Sequence, residues 1–146
     1  MHTSKSGGVT IRKARMSDYN SLIKLWKENE IVIRPGDDRD GINRFLARNP
    51  NLSLVAVEGN KIIGAVLGSW DGRRGWLHHL AVEKGYRRKG AASMLVSEAG
   101  ERMKKRGIGM VKVEIHDGNT ASKALFTKLG FACYEKVLTF GKRLSK

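Results

Sequence analysis

Val82-Glu83-Lys84-Gly85-Tyr86-Arg87-Arg88-Lys89-Gly90-Ala91-Ala92-Ser93 joins an apolar run to a helical one through a basic turn. Upstream, Trp76 to Val82 is rich in strand-favouring residues. Downstream, Ala92, Leu95, Val96, Ala99 and Met103 recur on one helical stripe, and Gly107 ends it as a cap. The first amides of a helix lack internal acceptors and carry the positive end of its dipole, so phosphate binds there readily. Gly90, Ala91 and Ala92 are small enough for a diphosphate to approach the backbone, and Arg87, Arg88 and Lys89 add charged donors. Three basic residues before a glycine also describe an ordinary exposed loop, so the neighbouring segments must decide between the two.

From Met110 to His116 the chain alternates, with Val111, Val113 and Ile115 on one side and Lys112, Glu114 and His116 on the other. Asp117-Gly118-Asn119 turns into a helix over Thr120–Leu129, ended by Gly130, and Phe131–Phe140 reads as a last strand or hairpin. Toward the N-terminus, Val9–Lys13 is a short strand. A helix follows, capped by Ser17 or Asp18, with Leu22, Leu25 and Trp26 on its apolar face. Arg34-Pro35-Gly36 is biased against helix, and a second helix runs from Asp37 to Arg48 over Ile42, Phe45 and Leu46. Leu52–Glu58 and Lys61–Trp70 form a hairpin through Gly59-Asn60, and Asp71-Gly72 marks the next turn. The order β-α-α-β-β-β-α-β-α-β predicts an α/β fold of the α+β type: a central mixed sheet flanked by about four helices.

The chain has 146 residues, 40% hydrophobic and 29% charged, a globular balance that suits one domain. Residues 1–8 lack the apolar stretch of a signal peptide and read as a flexible tail, leaving 9–146 as the domain. No apolar run approaches the roughly 20 residues that span a bilayer, so no membrane role is expected. The single cysteine, Cys133, excludes an internal disulfide framework, fits a reducing compartment and places the protein in the cytoplasm. Cys133 itself reads as a small packed residue. No Cys/His cluster has metal-ligand spacing, so no metal is expected. The net charge of +14 and pI near 10.3 attract anions or simply solvate a basic surface. No basic strand carries the aromatic residues that stack bases, so nucleic acid is not an expected partner.

Taken together, these blocks resemble the GNAT superfamily of acetyl-CoA-dependent N-acetyltransferases. The family's phosphate loop, Arg/Gln-x-x-Gly-x-Gly/Ala, matches Arg87-Arg88-Lys89-Gly90-Ala91-Ala92, and Leu80-Ala81-Val82 matches the usual ending of the strand before it. The block from Asn119 to Phe131 matches Asn-x(4)-Ala-x(4)-Leu-Gly-Phe. Trp70-Asp71-Gly72-Arg73-Arg74-Gly75 and Gly141-Lys142-Arg143-Leu144 are similar to a bacterial subgroup often called YpeA-like. The resemblance implies an acyl-CoA N-acyltransferase fold in which strands 76–82 and 110–116 splay. In the gap, acetyl-CoA pairs with the backbone of Leu80, Ala81 and Val82. Its diphosphate rests on amides from Arg88 to Ser93, and Asn119, Ser122 and Phe126 lie against the cofactor.

The resemblance further implies direct attack of a primary amine, from a small molecule or a protein, on the thioester. The strand amide of Leu80 would aid the developing oxyanion. A homodimer is compatible with it. The chain departs from the family at Phe126, where a tyrosine commonly protonates the leaving thiolate; Tyr134 is the substitute nearest in sequence, or else a packed strand aromatic. Base candidates are Glu114, whose place matches a base proposed in ribosomal-protein alanine acetyltransferases, and His78 or His79, which strand alternation points to opposite faces. Trp26, Arg34, Asp37, Asp38 and Trp70 are the candidate acceptor wall, with capping the expected job of one of the two aspartates. With Phe126 unable to donate a proton, a non-catalytic acetyl-CoA sensor is the alternative.

Overall fold

The computed structural model describes residues 5–6, 8–87 and 90–145. They form two compact units, residues 1–114 and 115–146, each described by itself.

The first unit is built on a six-stranded sheet in chain order. Its strands are β1 (Lys5–Ser6), β2 (Val9–Lys13), β3 (Leu54–Glu58), β4 (Lys61–Trp70), β5 (Gly75–Val82) and β6 (Val111–Val113). Neighbours pair antiparallel except β5 with β6, which run parallel. β1 lies inside the stretch read as a tail, where Lys5 and Ser6 pair with Thr10 and Val9. The Gly59-Asn60 turn brings Glu58 opposite Lys61, with Gly59 at φ +61°, as its glycine demands. The alternation over 110–116 yields a strand only at 111–113, because β5 supplies partners only for those three residues.

Helix α1 (Tyr19–Glu28) follows a 3-10 turn over Met16–Asp18. Asp18 caps that turn rather than the α-helix: its carboxylate accepts from the Arg15 amide at 3.0 Å and from both terminal nitrogens of Arg12 at 2.8 and 2.9 Å. Helix α2 (Arg39–Arg48) starts later than the sequence pattern suggests. Asp38 is its cap, accepting from Gly41 N at 3.0 Å, and Asp37 is left outside the helix. Both helices bury their apolar stripes, Leu22, Leu25, Trp26 and Ile42, on Val55, Ala65, Leu67 and Ala81 of the sheet. Helix α3 (Ala91–Lys105) lies on the other face: Leu95 meets Gly64 and Met103 meets Gly75, positions whose alternation opposes that of Ala65 and Ala81.

In the second unit, α4 (Thr120–Lys128) is capped by Asn119, whose Oδ1 accepts from Ser122 N at 3.0 Å. Phe126 is buried edge-on to Phe131, with ring centres 5.0 Å apart. No strand forms over 131–140, contrary to the sequence reading. Val137, Leu138 and Phe140 favour strands, but a strand needs a ladder partner, and side-chain preference alone does not provide one. Cys133 is exposed and Tyr134 is 54% exposed, so neither is the packed residue that a closing strand would have made it.

Candidate functional site

β6 ends at Val113, opposite Leu77, whereas β5 continues to Val82. The two parallel strands therefore part company after Leu77, and among the described residues no strand lies beside one edge of 78–82. At the end of that edge, Glu83 N donates to Ile63 O at 2.8 Å, which makes Val82 and Gly64 the non-hydrogen-bonded pair next to it. The N–H and C=O of Val82 thus face away from β4, into the gap. Two side chains already meet that carbonyl: Asn29 Nδ2 at 3.3 Å and Arg87 Nε at 3.4 Å. Asn29 Oδ1 also accepts from Arg87 Nη2 at 2.7 Å.

After Val82, a 3-10 turn over Lys84–Tyr86 is pinned from outside. Tyr86 donates to Glu58 at 2.9 Å, and Lys61 pairs with Glu83 at 2.8 Å. Arg88 and Lys89 of the expected phosphate loop lie outside the described residues. Gly90 is the residue before α3, at φ +84° in the left-handed region, and among the described residues no side chain caps the helix. The first amides of α3, at Ala91, Ala92 and Ser93, are left for an external acceptor. Among the described residues other than its chain neighbours, nothing lies within 4 Å of where a Gly90 Cβ would stand. An open, uncapped helix start beside an arginine fits the diphosphate of a nucleotide cofactor.

The second cluster forms where β5 is irregular. Leu67 opposes His78 and Ala65 opposes Ala81, so His79 and Leu80 face Val66 alone across a β-bulge. His79 adopts φ +51°, outside the comfortable range of a non-glycine residue. The bulge overturns the expected alternation: both histidines point toward α1 and α2. His78 Nε2 bonds Ser69 Oγ at 3.0 Å, and its ring stands edge-on to Phe45. His79 stands edge-on to Trp26, with ring centres 4.9 Å apart, and its Nε2 lies 3.2 Å from both carboxylate oxygens of Asp37. Asp37 is itself held in place, its Oδ2 accepting from Arg34 N at 3.0 Å and its carbonyl from Tyr19 OH at 2.7 Å.

The electrostatics follow from these contacts. Burial pushes the Asp37 carboxyl up, but the hydrogen bond from His79, the Arg34 amide and the charges of both residues outweigh it, and the group titrates below its ordinary value. Burial, helped by the charge of His79, lowers the pKa of His78 below its ordinary value despite the opposing pull of Glu114 and Asp37.

The structure brings together only some of the sequence candidates. Asp37 and His79 meet. Arg34 contributes its amide, not its exposed side chain. Trp26 is fully buried and cannot line an acceptor wall; it reaches the site only through His79. Trp70 is 40% exposed at the β4–β5 turn, under Arg106 at 5.6 Å, at the end of β5 opposite Val82. Glu114 is exposed just beyond β6 and acts on His78 through its charge. In the second unit, Asn119 and Ser122 form the α4 cap, Phe126 packs on Phe131, and Tyr134 is largely exposed. Among the described residues, no group of three His, Cys, Asp or Glu is placed to hold a metal, and no helix is long and apolar enough to cross a membrane. Asn29 was missed by the sequence reading. An asparagine after a helix looks like a local cap, and its partners at Val82 and Arg87 are visible only in three dimensions.

Comparison with known proteins gives the family and the fold. The model of the acetyltransferase (GNAT) family matches residues 19–131. An acetyltransferase of Sodalis glossinidius is 33% identical over 137 residues, covering 93% of this chain and 96% of the relative. Among solved structures, Ard1 from Thermoplasma volcanium superposes with a TM-score of 0.78 at 19% identity, over 86% of this chain and 83% of that one. The PaiA N-acetyltransferase from Thermoplasma acidophilum, solved in complex with coenzyme A, gives 0.76 at 22% identity, over 85% and 89%.

Proposed function

Because this chain belongs to the acetyltransferase (GNAT) family, we propose that it moves an acetyl group from acetyl-CoA to a primary amine of a small molecule or a protein, with His79, oriented by Asp37, taking the proton. Acetyl-CoA supplies an acetyl group already activated as a thioester. The donor would be held by the backbone of Leu80, Ala81 and Val82 along the open edge of β5, and by Arg87, the loop through Arg88 and Lys89, and the amides of Gly90 to Ser93. Asn119, Ser122 and Phe126 complete that reading by family analogy. Residues 9–146 are read as one acetyltransferase domain, a reading supported by a family match that runs from 19 to 131.

The chemistry asks one main thing of the chain. An amine is protonated at neutral pH and attacks only after losing a proton. The observation that supports His79 is its bidentate approach to Asp37, 3.2 Å to each oxygen, on a bulge in the strand whose edge borders the gap. A carboxylate there fixes the ring and stabilises the imidazolium formed when the proton arrives. The bulge also interrupts the ladder at Leu80, in keeping with a backbone donor for the acyl oxygen. Glu114 and Tyr134 are weaker candidates: the first is exposed beyond β6, and the second is 54% exposed.

The test is a thiol-release screen with acetyl-CoA over polyamines, aminoglycosides and peptide N-termini. His79→Gln is expected to lower kcat on the best acceptor by about 10²-fold or more, the usual range for a lost general base. A full rate in that variant would remove His79 from the mechanism. The sensor alternative draws on Phe126, which cannot donate a proton and is buried against Phe131. It gains if acetyl-CoA binds and no acceptor releases thiol.

A further inference from the structure

We propose that Asn29 is a positioning residue of the donor site, holding the Arg87 guanidinium and the Val82 carbonyl at the mouth of the β5–β6 gap. The inference rests on reading that gap as the acetyl-CoA site. Asn29 directly follows α1. Its Nδ2 donates to Leu25 O at 2.8 Å, inside its own helix, and to Val82 O at 3.3 Å on the sheet, while its Oδ1 accepts from Arg87 Nη2 at 2.7 Å. One amide thereby joins the end of a helix, the end of a strand and the basic loop.

The anchor is firm. Leu22, Leu25 and Trp26 are buried, Ile31 N returns to Trp26 O at 2.9 Å, and Glu30 at φ +59° turns the chain sharply after Asn29. Arg87, by contrast, is exposed, on a side chain with large rotamer freedom. Among the described residues two of its donors are engaged, Nη2 with Asn29 and Nε with Val82 O, and the rest of its five N–H groups can turn to an anion. An arginine ordered in advance has less entropy to lose when phosphate arrives. The same contacts occupy the Val82 carbonyl, so the strand end offers the gap its N–H.

Calorimetry with acetyl-CoA on the wild type and on Asn29→Ala, Asn29→Asp, Arg87→Ala and the Asn29→Ala/Arg87→Ala double variant tests the inference. Asn29→Ala is expected to weaken acetyl-CoA binding about tenfold, the scale of one hydrogen bond to a charged group. Its KM for acetyl-CoA rises in step, with kcat at saturation unchanged. Asn29→Asp keeps the acceptor for Arg87 but loses the donors to Val82 O and Leu25 O, and is expected to bind acetyl-CoA with an affinity between those of Asn29→Ala and the wild type. In the Arg87→Ala background, replacing Asn29 is expected to add little, because the partner it holds is gone. Wild-type affinity in Asn29→Ala, or an equal loss with and without Arg87, overturns the inference alone. A wild type that does not bind acetyl-CoA overturns the reading of the gap, and the inference with it.

Discussion

At the residue scale, two positions of the candidate site carry backbone conformations that limit what can stand there. Gly90 at φ +84° leaves open space before α3. Gly90→Ala is expected to cost about 1 kcal/mol of stability through left-handed strain and to leave the seat open. Gly90→Glu adds an anion where the diphosphate would lie and is expected to abolish acetyl-CoA binding by calorimetry; retained affinity would contradict the seat. His79 holds φ +51° without being glycine. Asparagine tolerates that region better than most residues. His79→Asn therefore adds no left-handed strain of its own and is expected to stay folded with Tm lowered by several degrees through the lost contacts with Trp26 and Asp37, while losing acetyl transfer. The loop was legible in sequence because its chemistry is local: a basic run, a glycine and a helix start. The His79–Asp37 pair was not, because its partners belong to different elements and meet only through the fold.

At the element scale, the bulge in β5 is the feature the sequence hid. Trp76-Leu77-His78-His79-Leu80-Ala81-Val82 contains no glycine to mark an irregularity, so plain alternation was the natural reading. The bulge comes instead from pairing with β4, where Val66 alone faces His79 and Leu80. Helix boundaries moved for a related reason. Asp37 and Asp38 have equal claims to cap α2 by composition, and the pull of His79 assigns the first to β5 and the second to the cap. The pH dependence of stability belongs at this scale. His78 has a folded pKa below the ordinary 6.5, chiefly through burial, so the native state binds fewer protons than the unfolded chain. Stability is then full above pH 6.5 and falls as pH drops through that value toward the folded pKa. His78→Gln is expected to flatten this slope in denaturant titrations below about pH 6.5. Asp18 and Asp37, also lowered below their ordinary 3.8, act only in the more acidic window below that value. Asp18→Ala removes the paired acceptor of Arg12 and the Arg15 amide and is expected to cost about 2 kcal/mol.

At the scale of the whole molecule, the order of elements from β2 to α3 was readable from periodicity, because β3, β4 and α3 bury long patterned stretches, whereas β1 lay in the stretch read as a tail. The last segment was not, because its apolar residues carry the pattern of a strand while the structure leaves them without a ladder. Close packing sets its own limits in the sheet. A Cβ on Gly68 would run into the backbone carbonyl of Leu52, so Gly68→Ala is expected to lower stability by about 3 kcal/mol, seen as a fall in Tm. Amide exchange is expected to be slow over β3–β5 and fast over residues 132–145, in line with the difference in burial. Val137, Leu138, Phe140 and Leu144 are between 72% and 91% exposed on a chain of net charge +14. Like charges keep copies apart over about 30 Å at 0.01 M salt but only about 3 Å at 1 M. The colloidal behaviour should follow: monodisperse by light scattering in dilute buffer, self-associating as salt rises, and restored to single particles when Leu138 and Phe140 are changed to serine.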